Sequence, residues 1–241
     1  MQLTAEQLAQ YERDGYLIVP NLLSEQECAD FLAYEELPKP SDWRQHLDNH
    51  KTDQHWAHIA HHPNIVNIAR QILDGQPLIV QTMYLRKQPV DGKGTAMHQD
   101  THYLPTEPNT LMACWLALND TDGQNGGLAV VPGSHKRGLL STHKTENTVD
   151  HDSWEIDYDM IDPDGRRYKQ SFYSFDIDGL KEEDVIRLEV PTGAGVFFNG
   201  LTIHGSFGNH TKDRYRHAYA THFVKEGTWV YRGDVHDTVP A

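Results

Sequence analysis

The spacing of apolar residues changes from a helical to a strand period after Asp74. Before that point, a T-x-x-Q pattern at Thr4 and an S-x-x-E pattern at Ser24 are capping boxes that predict two short helices. The apolar run at residues 16–20 between them predicts a strand. A third helix is predicted over residues 63–73, where isoleucine and alanine recur at helical spacing and Asp74-Gly75 supplies the stop.

After this helical region, apolar runs are separated by Gly, Pro, Asn and Asp, which is typical of strands and turns. The predicted strands cover residues 78–87, 96–102, 111–118, 127–131, 185–190, 195–198, 201–206 and 215–225. Helices followed by many short strands predict an all-β core, a double-stranded β-helix or jelly roll, with N-terminal and flanking α-helices.

No repeat, low-complexity tract or linker divides the sequence, so we expect residues 1–241 to form a single domain. Residues 141–180 are the exception to the strand pattern, because they are polar, rich in Asp and aromatic residues, and have no clear period. A long insertion in a compact domain is usually functional or mobile. We therefore predict that residues 141–180 form a lid, with an oligomer contact or a surface flap as the alternatives.

The composition narrows the possible partners. The formal net charge is −14, which argues against nucleic acid and anionic membranes as partners, although a local basic pocket is compatible with it. The N-terminal segment is polar and has no signal-peptide core, and no apolar run reaches the roughly 20 residues of a membrane span. The two cysteines, Cys28 and Cys114, form no metal-binding motif and fit a reducing compartment. We therefore expect a cytoplasmic protein that acts on a small molecule.

The candidate chemistry centres on His98-Gln99-Asp100 and on His204, about a hundred residues later. Side chains alternate along a strand, so positions 98 and 100 point the same way and Gln99 points away. Two imidazoles and one carboxylate can occupy one face of a metal ion and leave the other positions open, as in non-haem Fe(II) oxygenases. The H-x-D pattern alone is weak in a chain with 16 histidines, so its neighbourhood must decide.

That neighbourhood contains an ordered series of short motifs. In chain order they are W-x-A-L from Trp115, N-G-G-L from Asn125, P-G-S-H from Pro132, F-F at Phe197, H-G-S from His204, N-x-T from Asn209, and an arginine at 216. From about Thr4 to Val224 the sequence resembles the phytanoyl-CoA dioxygenase family of Fe(II)- and 2-oxoglutarate-dependent oxygenases. The resemblance implies a jelly-roll fold, with iron, 2-oxoglutarate and O2 as cofactor and cosubstrates.

The resemblance also implies residue roles. His98, Asp100 and His204 would hold the iron. Arg216 would bind the distal carboxylate of 2-oxoglutarate through its planar guanidinium. Arg214 is the alternative anchor, since both arginines share strand parity and lie near the family position.

Three more residues lie at positions that line the cosubstrate pocket in the family: Met83, Trp115 and Ser206. Met83 and Trp115 would serve equally well as ordinary core residues. A lysine that binds 2-oxoglutarate in some family members has no clear counterpart in this sequence.

The leading hypothesis is an oxygenase that hydroxylates, or otherwise oxidises, a C–H bond of a small metabolite. A halogenase on the same fold is disfavoured by Asp100, because related halogenases have a small residue there that leaves room for halide. A non-catalytic jelly-roll binding module and a cupin-type metalloenzyme without a cosubstrate are further alternatives. The sequence leaves the substrate, the oxidative outcome and the oligomeric state open.

Overall fold

Four α-helices precede most of the strands in a computed structural model that describes residues 1–39, 47–145, 151 and 153–241. They are α1 (Ala5–Asp14), α2 (Glu25–Glu35), α3 (Gln54–Ala60) and α4 (Pro63–Leu73). Both predicted capping boxes are present, at Thr4 and Ser24. The sequence did not predict α3, because seven residues are too few to show a helical period; its start is set by the Asp53 carboxylate, which accepts the N–H groups of His55 and Trp56.

The strands of the described residues form two facing sheets and three small pairs. In chain order they are β1 (Tyr16–Val19), β2 (Pro77–Lys87), β3 (Thr95–His98), β4 (Thr106–Glu107), β5 (Met112–Ala117), β6 (Leu128–Val130), β7 (Thr142–Lys144), β8 (Glu155–Ile161), β9 (Arg167–Tyr173), β10 (Phe175–Ile177), β11 (Ile186–Arg187), β12 (Gly195–Asn199), β13 (His204–Ser206), β14 (Arg216–Lys225), β15 (Trp229–Val230) and β16 (Val239–Pro240). The large sheet has the order β1-β12-β5-β14-β2-β16, and the small sheet has the order β11-β6-β13-β3.

The large sheet is buried on both faces. Its outer face packs against the helices in a core that includes Phe31, Trp56 and Tyr219, with the Phe31 and Tyr219 rings 5.5 Å apart. Its inner face packs towards the small sheet through a second core that includes Phe198 and Val130. Two antiparallel sheets packed face to face, with helices on the outside, confirm the predicted jelly roll.

Some predicted strand bounds were wrong. The strand predicted over 96–102 ends at His98, and Asp100–His102 form one turn of 3₁₀ helix. The backbone of Gln99 remains extended, with φ −114° and ψ 126°, so the alternation of side chains continues to Asp100 after the ladder has ended. The strands predicted over 185–190 and 201–206 are shorter than expected.

The described residues of the segment 141–180 form four strands, β7 to β10, that the sequence did not predict. β8 and β9 form a hairpin, which is joined to the body by a bridge between Met160 and Arg232. The Trp229 indole N–H also donates to the Ile161 carbonyl at 2.9 Å. Residues 146–150 and 152 of this segment lie outside the described residues.

Candidate functional site

The three predicted metal ligands meet at the end of the small sheet. His98 and His204 are directly opposite each other in the β3–β13 ladder, and Asp100 follows in the 3₁₀ turn. One carboxylate oxygen, Asp100 Oδ1, lies 3.4 Å from His98 Nε2 and 3.5 Å from His204 Nε2. The three ligand atoms lie within 4.8 Å of one another, which fits a single metal ion bound on one face.

Backbone carbonyls orient both histidines. His98 Nδ1 lies 2.8 Å from the Ala96 carbonyl oxygen, and His204 Nδ1 lies 3.0 Å from that of Thr202. An N–H at Nδ1 that donates to a carbonyl leaves Nε2 unprotonated and aimed at the metal position. Burial lowers the pKa of His204 to about 4, against the opposing effect of Asp100, so this ring is in the neutral form that a ligand needs.

The second oxygen of Asp100 is held by a residue that the sequence analysis did not assign. His222 Nε2 lies 3.1 Å from Asp100 Oδ2, and both side chains are buried. Burial alone would raise the pKa of Asp100, but the nearby His204 and His222 rings and the hydrogen bond from His222 hold it well below its usual value. The carboxylate is therefore ionised and fixed with Oδ1 towards the two ligand histidines.

Gln99 faces away from the triad, as predicted, and fixes the loop that carries it. Its amide nitrogen donates to the carbonyls of Gly138 and Leu201 at 2.8 and 2.7 Å, and its oxygen accepts the Leu140 N–H at 2.9 Å. This fully buried side chain joins both halves of the triad, because Leu201 leads into β13.

The two candidate anchor arginines have different environments. Arg214 is exposed, and its guanidinium forms two hydrogen bonds with Asp122, at 2.8 and 3.2 Å. Arg216 is buried and donates only to the carbonyls of Gly126 and Leu85 among the described residues. Burial lowers the pKa of Arg216 to about 10, which leaves it charged at neutral pH. A buried guanidinium that no described carboxylate contacts fits the anchor role.

A lysine that the sequence analysis did not assign, Lys87, lies beside Arg216. It lies directly opposite Arg216 in the β2–β14 ladder, so both side chains project from the same face of the large sheet. Lys87 Nζ donates to Ser206 Oγ at 2.7 Å and to the Phe207 carbonyl at 2.6 Å. The period-two alternation from Met83 would have placed Lys87 on the pocket face, but its pairing with Arg216 cannot be read from the sequence.

Ser206 connects this basic pair to the triad. It lies two residues after His204 on β13, about 7 Å along the strand and on the same face. Gly126 packs against the Lys87 side chain. Its φ is +80°, and a Cβ there would lie 2.9 Å from the Lys87 side chain. The N-G-G motif is thus a turn that brings a carbonyl oxygen to Arg216 without displacing Lys87.

Of the other two predicted pocket residues, Met83 lines the cavities of the site and Trp115 does not. Met83 lines both cavities described below. Trp115 is buried in the core between the sheets, and the Arg216 guanidinium carbon lies 5.9 Å from its ring centroid. Trp115 thus supports the arginine at the outer limit of a cation–π contact and lines neither cavity.

Two adjoining cavities lie in this region, and one of them borders the triad. One, of about 840 Å³, extends along β2 past Lys87 and Arg216. The other, of about 400 Å³, borders His98, Asp100 and His222. Four lining residues are common to both: Leu47, Met83, Gly94 and Thr95. The site therefore has one basic compartment and one largely apolar and aromatic compartment.

Jelly-roll packing, a His-Asp-His triad and a basic cavity nearby are the features expected of a mononuclear metalloprotein with an open coordination face. The family model for phytanoyl-CoA dioxygenase (PhyH) matches residues 11–218. The chain therefore belongs to the phytanoyl-CoA dioxygenase family.

Curated relatives are moderately similar. The phytanoyl-CoA dioxygenase of Arabidopsis thaliana is 27% identical over 177 residues, which cover 73% of this chain and 54% of the relative. The peroxisomal phytanoyl-CoA dioxygenase of Mus musculus is 28% identical over 253 residues, covering 92% of this chain and 68% of the relative. This chain thus spans between half and about two thirds of the length of these relatives.

A solved structure shares the fold. The epimerase SnoN from nogalamycin biosynthesis, in complex with Fe3+, α-ketoglutarate and nogalamycin RO, aligns with a TM-score of 0.69 and 20% identity. The alignment covers 94% of this chain and 85% of SnoN. Within the described residues, no helix is long and apolar enough to span a membrane.

The contact between His222 and Asp100 predicts an effect on metal affinity. His222→Leu should weaken Fe(II) binding by roughly 10- to 100-fold, as loss of an outer hydrogen bond to a metal ligand typically does. His222→Gln should retain most of the affinity, because its amide nitrogen is as many bonds from Cα as Nε2. His222→Asn should resemble the leucine variant, since its amide is one bond shorter. Anaerobic Fe(II) titration measures these affinities. An unchanged Fe(II) affinity in His222→Leu would refute the role of His222 in orienting Asp100.

Proposed function

We propose that this protein is an Fe(II)- and 2-oxoglutarate-dependent oxygenase that oxidises a C–H bond of a small organic molecule. The main observation behind the proposal is that two features lie side by side in one connected site. The candidate triad of His98, Asp100 and His204 borders one cavity through His98 and Asp100, and the basic pair Lys87 and Arg216 borders the adjoining one. Family membership and the iron and α-ketoglutarate bound by SnoN support the same assignment.

Each group of residues in the site would have a distinct role. His98, Asp100 and His204 would hold Fe(II), with their orientation fixed by backbone carbonyls and by His222. Arg216, with Lys87 beside it, would bind the distal carboxylate of 2-oxoglutarate, because a fixed guanidinium pairs well with a carboxylate. Ser206 and Met83 would line the path between metal and anchor, and Trp115 would support Arg216 from the core.

When bound, iron would activate O2, so that 2-oxoglutarate, O2 and a substrate C–H give succinate, CO2 and a hydroxylated product. The protein contributes ligand geometry, cosubstrate orientation and a cavity that holds one C–H near the metal. A halogenase is disfavoured, because the Asp100 carboxylate already occupies the third ligand position.

The substrate would enter the smaller cavity, between the triad and the segment 141–180. Trp154 and Tyr158 of that segment line the cavity, and Tyr103 of the body packs on Trp154 with ring centroids 5.2 Å apart. We propose that the whole chain is one domain in which this segment serves as the lid. A cytoplasmic location stays a prediction; the mouse relative is named as peroxisomal.

Succinate formation tests the proposed function. The purified chain with Fe(II), ascorbate and 2-oxoglutarate should form succinate slowly alone and faster when a panel of small molecules includes a substrate. Mass spectrometry of the accelerating mixture should show a product heavier by one oxygen atom. A protein that binds Fe(II) at the triad but neither binds nor decarboxylates 2-oxoglutarate would contradict the proposal and favour a binding module or a cupin-type enzyme.

A further inference from the structure

We propose that the smaller cavity takes an uncharged, ring-bearing molecule rather than an anionic one such as a coenzyme A thioester. This inference rests on the proposed function and names the substrate class of that site. It separates this chain from what the names of its curated relatives suggest.

The size and walls of the cavity favour a compact, mainly apolar ligand. Its volume of about 400 Å³ lies near the lower end of the roughly 300–1,000 Å³ of small-molecule sites. Met83 and Leu104 form part of the apolar wall, and Tyr103, Trp154 and Tyr158 form the aromatic wall. A flat ring can stack or pack edge-on against such a wall.

The cationic group of the cavity is already engaged. Among the described lining residues, Arg232 is the only one with a guanidinium or ammonium group. It forms two hydrogen bonds with Asp234, at 2.8 and 2.9 Å, and a third with Gln81 at 2.9 Å. Its guanidinium carbon also lies 4.2 Å from the Tyr158 ring centroid. Arg232 is buried whereas Asp234 is exposed, so an anionic ligand would have to compete with Asp234 for a guanidinium that is already paired.

The basic run near the tip of the β8–β9 hairpin does not supply the missing charge. Arg166 pairs with Asp162 at 2.9 Å, and Lys169 pairs with Asp159 at 3.6 Å. Neither these residues nor Arg167 line the cavity. This run therefore does not hold an anionic part of a ligand bound there.

The polar groups of the cavity wall favour a ligand that carries a neutral hydrogen-bond acceptor. The Tyr103 hydroxyl donates to the Tyr173 carbonyl at 3.2 Å, so its ring rather than its hydroxyl is offered to a ligand. The Trp154 indole N–H has no acceptor among the described residues, and the side chain is 37% exposed at the rim. A ketone, ether or hydroxyl oxygen on the ring system could accept that N–H.

Three probes with the same ring test the charge preference: 2-acetylnaphthalene, which is neutral, 2-naphthoate, which is anionic, and 2-naphthoyl-CoA. Titration calorimetry on the whole chain loaded with redox-inert Zn(II) measures binding without turnover. We expect the ketone to bind at least tenfold more tightly than the carboxylate, and the thioester to bind no more tightly than the ketone. Trp154→Ala should weaken ketone binding by roughly three- to tenfold, the scale of one aromatic contact.

The matched control is the triple variant Arg166→Ala, Arg167→Ala, Lys169→Ala, which should leave ketone binding unchanged. Tighter binding of the carboxylate or the thioester, equal binding of all three probes, or no detectable binding of the ketone overturns the inference. The series is run with and without 2-oxoglutarate. Failure of 2-oxoglutarate itself to bind counts against the proposed function, whereas a reversed probe order counts only against the substrate class.

Discussion

Replacing Asp100 or His98 with alanine is expected to abolish turnover and leave the fold intact. Each ligand lost from a three-residue site should lower Fe(II) affinity by more than the roughly 10- to 100-fold that follows loss of an outer partner. The fold should persist, because the hydrophobic cores on either face of the large sheet do not include these side chains. Fe(II) titration, succinate formation and circular dichroism measure the three properties on the same samples.

His135→Ala is the matched control for this pair. His135 belongs to the P-G-S-H motif, and its ring contacts the Glu12 carbonyl rather than the triad. This variant should retain Fe(II) binding and activity. Stoichiometric iron binding with full activity in both His98→Ala and Asp100→Ala would show that the triad is not the metal site.

Arg216→Leu is expected to raise the dissociation constant for 2-oxoglutarate by a large factor. Removing one partner of a buried charge pair costs about 2–5 kcal/mol, which corresponds to roughly 30-fold to several-thousand-fold in affinity. Fe(II) binding should change little, since Arg216 contacts no triad residue and its hydrogen bonds go to Gly126 and Leu85. Calorimetric titration of 2-oxoglutarate into the Zn(II)-loaded protein isolates this effect from turnover.

Arg214→Leu is the natural comparison, because it removes the same charge two residues away. Its guanidinium is exposed and engaged by Asp122, so the affinity for 2-oxoglutarate should stay close to that of the unaltered protein. A larger loss in Arg214→Leu than in Arg216→Leu would reverse the assignment of the anchor.

Local sequence patterns predicted some elements well and others not at all. The capping boxes at Thr4 and Ser24 were predicted correctly, because a cap involves groups only three residues apart. The strands of the segment 141–180 were missed. Their burial pattern, mostly exposed along β8 and β9, gives little alternation of apolar and polar residues to detect.

The sequence likewise predicted some features of the candidate site and not others. His98 and Asp100 could be paired from the sequence, because an extended backbone puts alternate residues on one side, and that held even though the ladder ends at His98. Strand parity could not separate Arg214 from Arg216. The structure gives them different environments, because β14 begins at Arg216 and leaves Arg214 outside the strand, where Asp122 binds it.

By itself, the sequence determined the family, the jelly-roll class and the types of residue proposed to hold the metal, since these depend on short motifs and on the order of elements. Only the tertiary structure decided which distant side chains complete the site. Lys87 meets Ser206, 119 residues away, and His222 meets Asp100, 122 residues away, both across the space between the two sheets. Such contacts depend on strand register and on sheet-to-sheet packing, which arise from the whole core and leave no mark in local spacing.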